Sequence, residues 1–398
     1  MSHSQKKDQK KQIFLQNQEF TLTQVLGSPF EIGLQIGKIL RQNKRWIRTI
    51  PPSNPASEDI IRIRDYLSSF NSALLDEIGG LATSLGWSFV DALIYFSGWD
   101  VMRRMNEFRQ GNLQSCTHFF LPPSTISSFE PYLCRNFDFF YNFADRMFLE
   151  IPGNSSRIST VGMSHQLIGR ADGINKHGVV CSNSITTSAG LPKKGFSHPI
   201  MTRFVLDCSH DAEEGIDLLR SLPQSTSANY LVADSSGTAY VFEQSKRKFA
   251  IREIEPEQGI VATNHIASKH IQDKWSRPSD TSGERFDYIL SLLQKNQGVW
   301  SLELMKKALQ THKPQICDHA IHKGVATLCS IIYNLKGSKV WICPGQPCIN
   351  EYIEVSPFPL RSQTLSGVYE CAGHCGYRIL EKYRELLYDT TYPSIQSQ

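Results

Sequence analysis

Apolar and polar positions divide the chain near residue 116. Upstream, a short alternating stretch (Phe14, Leu15, Phe20, Leu22, Val25, Leu26) predicts a strand ending at Gly27. Ser28 offers an N-cap and Pro29 a first helical position for the helix that follows. Residues 57–106 read as helical throughout. Ser57 is placed to cap a first helix carrying Ile60, Ile61, Ile63, Tyr66, Leu67 and Phe70, with Leu74, Leu75 and Ile78 continuing the pattern. Gly79-Gly80 and Gly86 are expected to break that run, and Ser88 to cap a further helix through Val90, Leu93, Ile94 and Met102. Trp87, Trp99 and Met102 read as core. From 116 on, strand-length apolar runs take over, at 116–121, 132–140, 147–151, 158–163, 178–186, 229–234, 238–243, 249–253, 259–262, 326–334 and 339–343. Helices are expected at 199–207, 210–221, 283–295 and 301–311. A helical first third followed by strands with helices in blocks predicts an α+β fold, two antiparallel sheets sandwiched by helices.

Composition narrows the function class. At 398 residues the chain can bury one large core or two moderate ones, and 40% hydrophobic with 20% charged residues suits a globular protein. A net charge of +4, with no basic block beyond the N-terminal tail, gives no support for a nucleic-acid surface. No apolar run reaches membrane-spanning length. Residues 1–12 are polar and basic with no apolar stretch behind them, so a disordered tail rather than a secretory signal is expected, and with it a cytoplasmic protein. Ten cysteines lie mostly in apolar segments and read as reduced, buried thiols. Cys343/Cys348 and Cys371/Cys375 (with His374) lack the usual two-residue ligand gap, so no metal is expected. The glycines between Gly27 and Gly37 fall inside a helical pattern with no Lys-Ser/Thr after them. That argues against a phosphate loop, and no cofactor is expected.

The candidate chemistry starts at Gln114-Ser115-Cys116-Thr117. An apolar run to Leu121, a turn at Pro122-Pro123-Ser124 and a second apolar strand carrying Cys134-Arg135-Asn136-Phe137-Asp138 predict a hairpin. Arg and Asp on such a strand are costly to bury unless paired or working. Strand alternation puts Arg135 and Asp138 on opposite faces, so a bulge or twist at Asn136-Phe137 would be needed for both to reach Cys116. Asn183 sits near the end of an apolar strand and Asn264 in Val261-Ala262-Thr263-Asn264-His265. Each is a turn cap or a donor to a developing oxyanion. Arg285 follows Ser282 at the start of a helix, and Asn229, Asp234 and Gly237 read as parts of a structural hairpin. A papain-like pairing of Cys116 or Cys181 with a histidine is the alternative cysteine chemistry, but no helix opens right after either residue.

These strings, with Gly27-x-Pro29-x-Glu31-x-Gly33-x-x-x-Gly37, Thr263-Asn264-His265 and Ser282-x-x-Arg285, resemble the penicillin acyltransferase (acyl-CoA:6-aminopenicillanate acyltransferase) family of N-terminal-nucleophile (Ntn) hydrolases, related to the bile-salt (choloylglycine) hydrolases and penicillin V acylases. The resemblance implies a four-layer αββα sandwich of two antiparallel sheets. It implies a precursor cut before Cys116, with 13–115 a mainly helical pro-segment retained as a small subunit and 116–398 the catalytic region. Cys116 becomes nucleophile and, through its freed amine, base. Asp138 meets that amine or the thiol, Arg135 lies beside the thiol, Asn264 and Asn183 are oxyanion donors, and Arg285 orders the network. The expected reaction is cleavage of a linear amide in a small molecule through an acyl-thioester, with water as acceptor. An amine or coenzyme A acceptor, and a non-catalytic binding module, are the alternatives. One departure is Ser115, where most relatives have glycine, the residue that best tolerates a strained junction.

Overall fold

A computed structural model of the chain describes residues 15–42, 57–97, 115–141, 146–165, 168–186, 194–245, 248–255, 257–272, 276, 280–336 and 339–370. The tail at 1–12, Trp99, Met102 and the Cys371/His374/Cys375 group lie outside them. The first strand and four helices are β1 (Leu15–Gln24), α1 (Pro29–Gln42), α2 (Ser57–Phe70), α3 (Ser72–Leu85) and α4 (Phe89–Ser97). Strands then dominate: β2 (Thr117–Leu121), β3 (Tyr132–Phe140), β4 (Met147–Ile151), β5 (Thr160–His165), β6 (Gly169–Asn175) and β7 (Val180–Ile185). Helices α5 (His198–Cys208) and α6 (Ala212–Ser221) precede β8 (Ala228–Ala233), β9 (Ala239–Gln244), β10 (Phe249–Glu253) and β11 (Ile260–Ala262). Helices α7 (Asp280–Lys295) and α8 (Leu302–Leu309) precede β12 (Val325–Asn334), β13 (Val340–Pro344), β14 (Ile353–Val355) and β15 (Gln363–Glu370).

The strands form two sheets, of nine in the order β10-β9-β8-β7-β6-β5-β4-β1-β15 and of six in the order β11-β2-β3-β12-β13-β14. All pairings are antiparallel except β1 with β4. Three apolar cores separate four layers. Phe20, Phe148 and Val161 meet Phe120, Leu133 and Ile331 between the sheets. Leu149, Phe204 and Val232 join Ile32, Leu74 and Ile78 of the helical segment outside the nine-stranded sheet. Phe119, Cys134 and Ile332 join Ile289, Leu293 and Met305 outside the six-stranded sheet. The chain therefore has the expected α+β, helix–sheet–sheet–helix order. Among the described residues no single helix is long and apolar enough to cross a membrane.

Local signals behave as their chemistry requires. Ser28 and Glu31 cap α1 reciprocally, Glu31 accepting the Ser28 N–H at 2.8 Å and Ser28 Oγ the Glu31 N–H at 3.4 Å. Two expectations need correction. Gly79-Gly80 does not break a helix, because α3 runs through it and ends at Gly86 (φ +70°). A Cβ on Gly80 would stand 1.9 Å from the Phe30 carbonyl oxygen and one on Gly33 would stand 2.0 Å from that of Glu77, so these glycines let α1 and α3 pack backbone to backbone. Strands β6, β14 and β15 carry no clear apolar alternation and escape the sequence reading. In β6, Gly-Arg-Ala-Asp-Gly-Ile-Asn has poor intrinsic strand propensity and is strand because its neighbours on both sides pair with it.

The segment before residue 116 is woven into the sandwich. β1 lies inside the nine-stranded sheet between β4 and β15. Glu77 of α3 is fully buried against Arg203 of α5 (3.0 Å) and Arg157 (2.9 Å), and Arg203 also holds Asp207 (2.8 Å). Burial pushes the Glu77 carboxyl up, but these guanidiniums hold it below its ordinary range.

The helix contact makes a paired prediction. Gly80→Ala should destabilise the chain by about 1–3 kcal/mol in urea denaturation, because its Cβ meets backbone. Gly79→Ala, whose Cβ would find nothing nearer than 3.7 Å, should be neutral or stabilising by up to about 1 kcal/mol. Equal effects would show that the α1–α3 contact is looser than described.

Candidate active site

Cys116 precedes β2 and shares its alternation. Cys116 and Phe120 face the core between the sheets, while Phe119 and Leu121 face the helices α7 and α8. On β3, Leu133, Phe137 and Phe139 share the inner face, and Tyr132 and Cys134 the outer. Arg135 is thus aimed at the inner face and Asp138 at the outer.

The inner face carries the sulfur. Arg135 is 1% exposed, with Nη2 3.8 Å from Cys116 Sγ. Its Nη1 donates to the Ala171 carbonyl and to Ser182 Oγ, both at 2.6 Å, and its Nε lies 3.1 Å from Asp172 of β6. Burial holds the Cys116 thiol above its ordinary range, and the Arg135 charge offsets part of that rise. The thiol donates to the Asp138 carbonyl at 3.4 Å.

The outer face carries the peptide junction. Arg285, in the second turn of α7 and fully buried, places Nη1 2.6 Å from both the Ser115 and the Cys116 carbonyl oxygens and 2.9 Å from Thr117 Oγ1. Ser115 Oγ donates to Asp318 at 2.7 Å. The Asp138 carboxyl accepts from Thr327 Oγ1 at 2.5 Å, and its other oxygen, Oδ2, has no hydrogen-bond partner among the described residues. Burial first, then nearby Asp318, push that carboxyl well above the ordinary range. The bulge expected at Asn136-Phe137 is absent because the two side chains serve different faces. The irregularity lies on the partner strand β12, between Thr327 and Cys329. Both side chains are buried.

Asn264 reaches the site through motifs that looked independent. Asn229 Nδ2 donates to the carbonyls on either side of it, Thr263 (2.9 Å) and His265 (2.7 Å), and Ser282 Oγ accepts the Asn264 N–H at 3.0 Å. Arg285 Nη2 donates to Asn264 Oδ1 at 3.3 Å, while Nδ2 spends one hydrogen on the Ile185 carbonyl at 3.0 Å and keeps the other. Asn183 is differently placed. Its amide donates to the Arg170 carbonyl (3.0 Å) and to Thr202 Oγ1 (2.8 Å), which leaves it no hydrogen to give.

Cys116, Arg135, Asp138, Asn183 and Asn264 line one narrow cleft, with Phe137, Phe139, His165 and His198 among its walls. Arg285 braces the junction from behind. Sequence reasoning missed Asp172, Asp318, His165 and His198. Asp172 sits in the unrecognised β6, and Asp318 is a loop residue with no local signal. His165 is pushed down to about 3 by burial and by Arg135, so it is neutral. His265 does not line the cleft and, pushed down to about 4 by burial, rests on Ser282. Cys181 is likewise absent from the cleft, and burial pushes its thiol up to about 12. Cys343 and Cys348 do not face each other: Cys343 donates to the Asn350 carbonyl, whereas Cys348 meets Cys317 and His319.

A thiol beside a buried cation, with a clamped carbonyl and an amide donor around it, is equipped for acyl transfer to sulfur. A family profile described as acyl-coenzyme A:6-aminopenicillanic acid acyl-transferase matches residues 127–348, more than half of the sequence. The chain belongs to that family, an enzyme family of the Ntn acyltransferase and amidohydrolase type. The matched span contains Arg135, Asp138, Asn183, Asn264 and Arg285, and Cys116 lies just before it. Among solved structures the chain is similar to two variants of conjugated bile acid hydrolase from Clostridium perfringens. The first has TM-score 0.45 and 13% identity over 66% of this chain and 99% of that one, and the second 0.44 and 14% over 63% and 96%. Penicillin V acylase from Agrobacterium tumefaciens follows at TM-score 0.36 and 13% identity, over 61% and 79%. No curated protein matches the chain.

The Arg135 geometry predicts a pH effect. Because the guanidinium lowers the thiol pKa, Arg135→Met should move the pH midpoint of Cys116 alkylation upward, read peptide by peptide against the unchanged chain in the same processing state. The variant should also lose about 3–5 kcal/mol of stability, since it strands Asp172. Adding Asp172→Asn should recover much of that stability without returning the midpoint. An unmoved midpoint would remove Arg135 from thiol activation.

Proposed function

We propose that the chain is an amidohydrolase that activates itself by cutting the Ser115–Cys116 bond and then cleaves a linear amide through an acyl-thioester on Cys116. The observation that carries this reading is the Arg285 clamp on the Ser115 carbonyl, in a cleft where Arg135 stands beside the Cys116 thiol. In the cut, Cys116 Sγ attacks the Ser115 carbonyl carbon and the C–N bond breaks. The thiol proton passes to the departing Cys116 nitrogen, and water then hydrolyses the thioester to a Ser115 carboxylate and the free thiol. Arg285 stabilises the oxygen on which charge develops.

The cut changes the electrostatics of the outer face. A new α-amine appears near Asp138, whose Oδ2 stands ready to accept from it. That amine, with an ordinary pKa near 7.7–8.0, serves as base for attack on substrate. Its ammonium form would favour the ionised carboxylate of Asp138. Asn264, with an amide hydrogen to spare, is the oxyanion donor, and Asn183 positions the cleft wall. The upstream piece stays bound, supported by β1 inside the sheet and by the buried Glu77 pairs. The family description names an acyl-transferase, so an amine or coenzyme A thiol is the alternative acceptor to water. Product analysis with and without added amine decides between them.

Denaturing electrophoresis should show fragments of roughly 13 and 32 kDa, apportioning the mass by length, while native sizing shows one species. The larger fragment should begin Cys-Thr-His-Phe-Phe. Cys116→Ala should remain one chain with no amidase activity. A fully active uncut chain would overturn the self-cleavage model.

The two faces should also separate by mutation. Asn264→Ala should still process but lose at least about tenfold in acylation rate. Arg285→Met, if folded by circular dichroism, should slow the cut itself. An unchanged acylation rate in the first variant would take Asn264 out of the oxyanion site.

A further inference from the structure

The loop that follows α8 brings together four side chains that the proposed amidase chemistry does not use. His312, Cys317 and His319 lie on it, and Cys348 arrives from the loop after β13. One ligand-type atom from each lies within 4.8 Å of all the others. Cys317 Sγ is 3.6 Å from Cys348 Sγ and 3.5 Å from His319 Nε2, and His319 Nε2 is 3.0 Å from Cys348 Sγ. A tetrahedral zinc with Zn–S near 2.3 Å and Zn–N near 2.05 Å would set its sulfurs about 3.8 Å apart and sulfur from nitrogen about 3.6 Å. Three of the four ligand atoms thus already stand close to the edges of such a tetrahedron.

The surroundings favour ligation over a mere thiol–imidazole contact. The Nδ1 of His319 lies 3.1 Å from the Glu370 carbonyl, which makes Nδ1 the protonated nitrogen and turns the Nε2 lone pair toward the two sulfurs. Metal-bound histidines are oriented in this way by a carbonyl or carboxylate behind them. The His312 ring is exposed and stands edge-on to His319 at 5.0 Å, with a ring nitrogen within 4.8 Å of the other three ligand atoms. Asn136 Nδ2 donates to the Ile316 carbonyl at 2.9 Å, fixing the backbone that delivers Cys317.

We propose that His312, Cys317, His319 and Cys348 form a zinc site with two sulfur and two nitrogen ligands. Four protein ligands close the coordination sphere, so the site is structural, with no position left for substrate or water. The ligands come from two loops, and the metal would join them where the fold supplies no strand pairing. Asp318, between two of the ligands, accepts from Ser115 Oγ, so the site lies directly behind the segment that bounds the Ser115–Cys116 junction. Metal binding itself does not rest on the catalytic reading.

The test is metal content. The full chain, purified under reducing conditions with zinc supplied and then desalted, should retain about one zinc per chain by plasma mass spectrometry. Cobalt substitution should give the strong visible bands of tetrahedral Co²⁺ with a thiolate charge-transfer band. Cys317→Ser with Cys348→Ser should cut retained zinc at least about tenfold and abolish that band. His312→Asn, exposed and so harmless to the core, should release zinc to a chelator faster than the unchanged chain. Zinc should raise the melting temperature of the unchanged chain and not that of the double variant. A folded chain that retains no zinc and gives no cobalt–thiolate band would overturn the site. So would a chain two hydrogens lighter with Cys317 and Cys348 disulfide-linked, which would make the pair a redox couple.

Discussion

The guanidinium of Arg135 is buried between two sheets, and much of the architecture follows from what it needs. A charge in that position is tolerable only when paired and hydrogen-bonded, and its partners come from the opposite sheet. Arg135 rises from β3 in the six-stranded sheet, whereas Asp172, Ala171 and Ser182 belong to β6 and β7 in the nine-stranded one. Tyr333 of β12 donates back across the gap to Asp172. This polar bolt closes an otherwise apolar interface and leaves one guanidinium nitrogen facing the Cys116 sulfur. The same contact therefore sets the register of the sheets and the electrostatics of the thiol.

The residues around Cys116 divide by strand face. Sulfur, Arg135 and the cleft lie inward; the Ser115 and Cys116 carbonyls, Arg285, Asp138 and Asp318 lie outward. A single residue at the head of β2 is thereby served from both sides. Its side chain lies beside the Arg135 cation, and its backbone is held by Arg285. The outer group is held by Arg285 of α7, and the first turn of the same helix carries Ser282, the acceptor for the Asn264 N–H. One helix start thus ties the Ser115–Cys116 backbone to Asn264.

The upstream segment follows a different logic. Its helices present apolar faces that require a partner, and it also supplies β1 and the buried Glu77. Removing it would open the nine-stranded sheet between β4 and β15, strand Arg157 without its carboxylate and leave Arg203 with Asp207 alone. Leaving such a cation unpaired in the interior is among the costlier single changes a fold can suffer.

Much of this was legible in the sequence because it rests on local rules. Period-2 runs placed most strands, helical periodicity and caps placed the helices, and an arginine and an aspartate on an apolar strand marked the site before any coordinates. Alternation alone also required Arg135 and Asp138 to face apart. What local rules could not supply was everything set by a distant neighbour. β6 is strand only because β5 and β7 pair with it, so its Asp172 stayed hidden. The glycines of α3 read as breaks because their purpose is a helix more than forty residues upstream in sequence. Asn183 and Asn264 look alike in sequence, and only the positions of Arg170, Thr202 and Ile185 decide which one keeps an amide hydrogen. The His312, Cys317, His319 and Cys348 cluster has no spacing signature, because two loops from different parts of the six-stranded side meet there. Sequence determined the elements and the residue types able to do chemistry; tertiary structure decided which of them share a face, a charge or a hydrogen, because those are properties of pairs that the chain brings together only on folding.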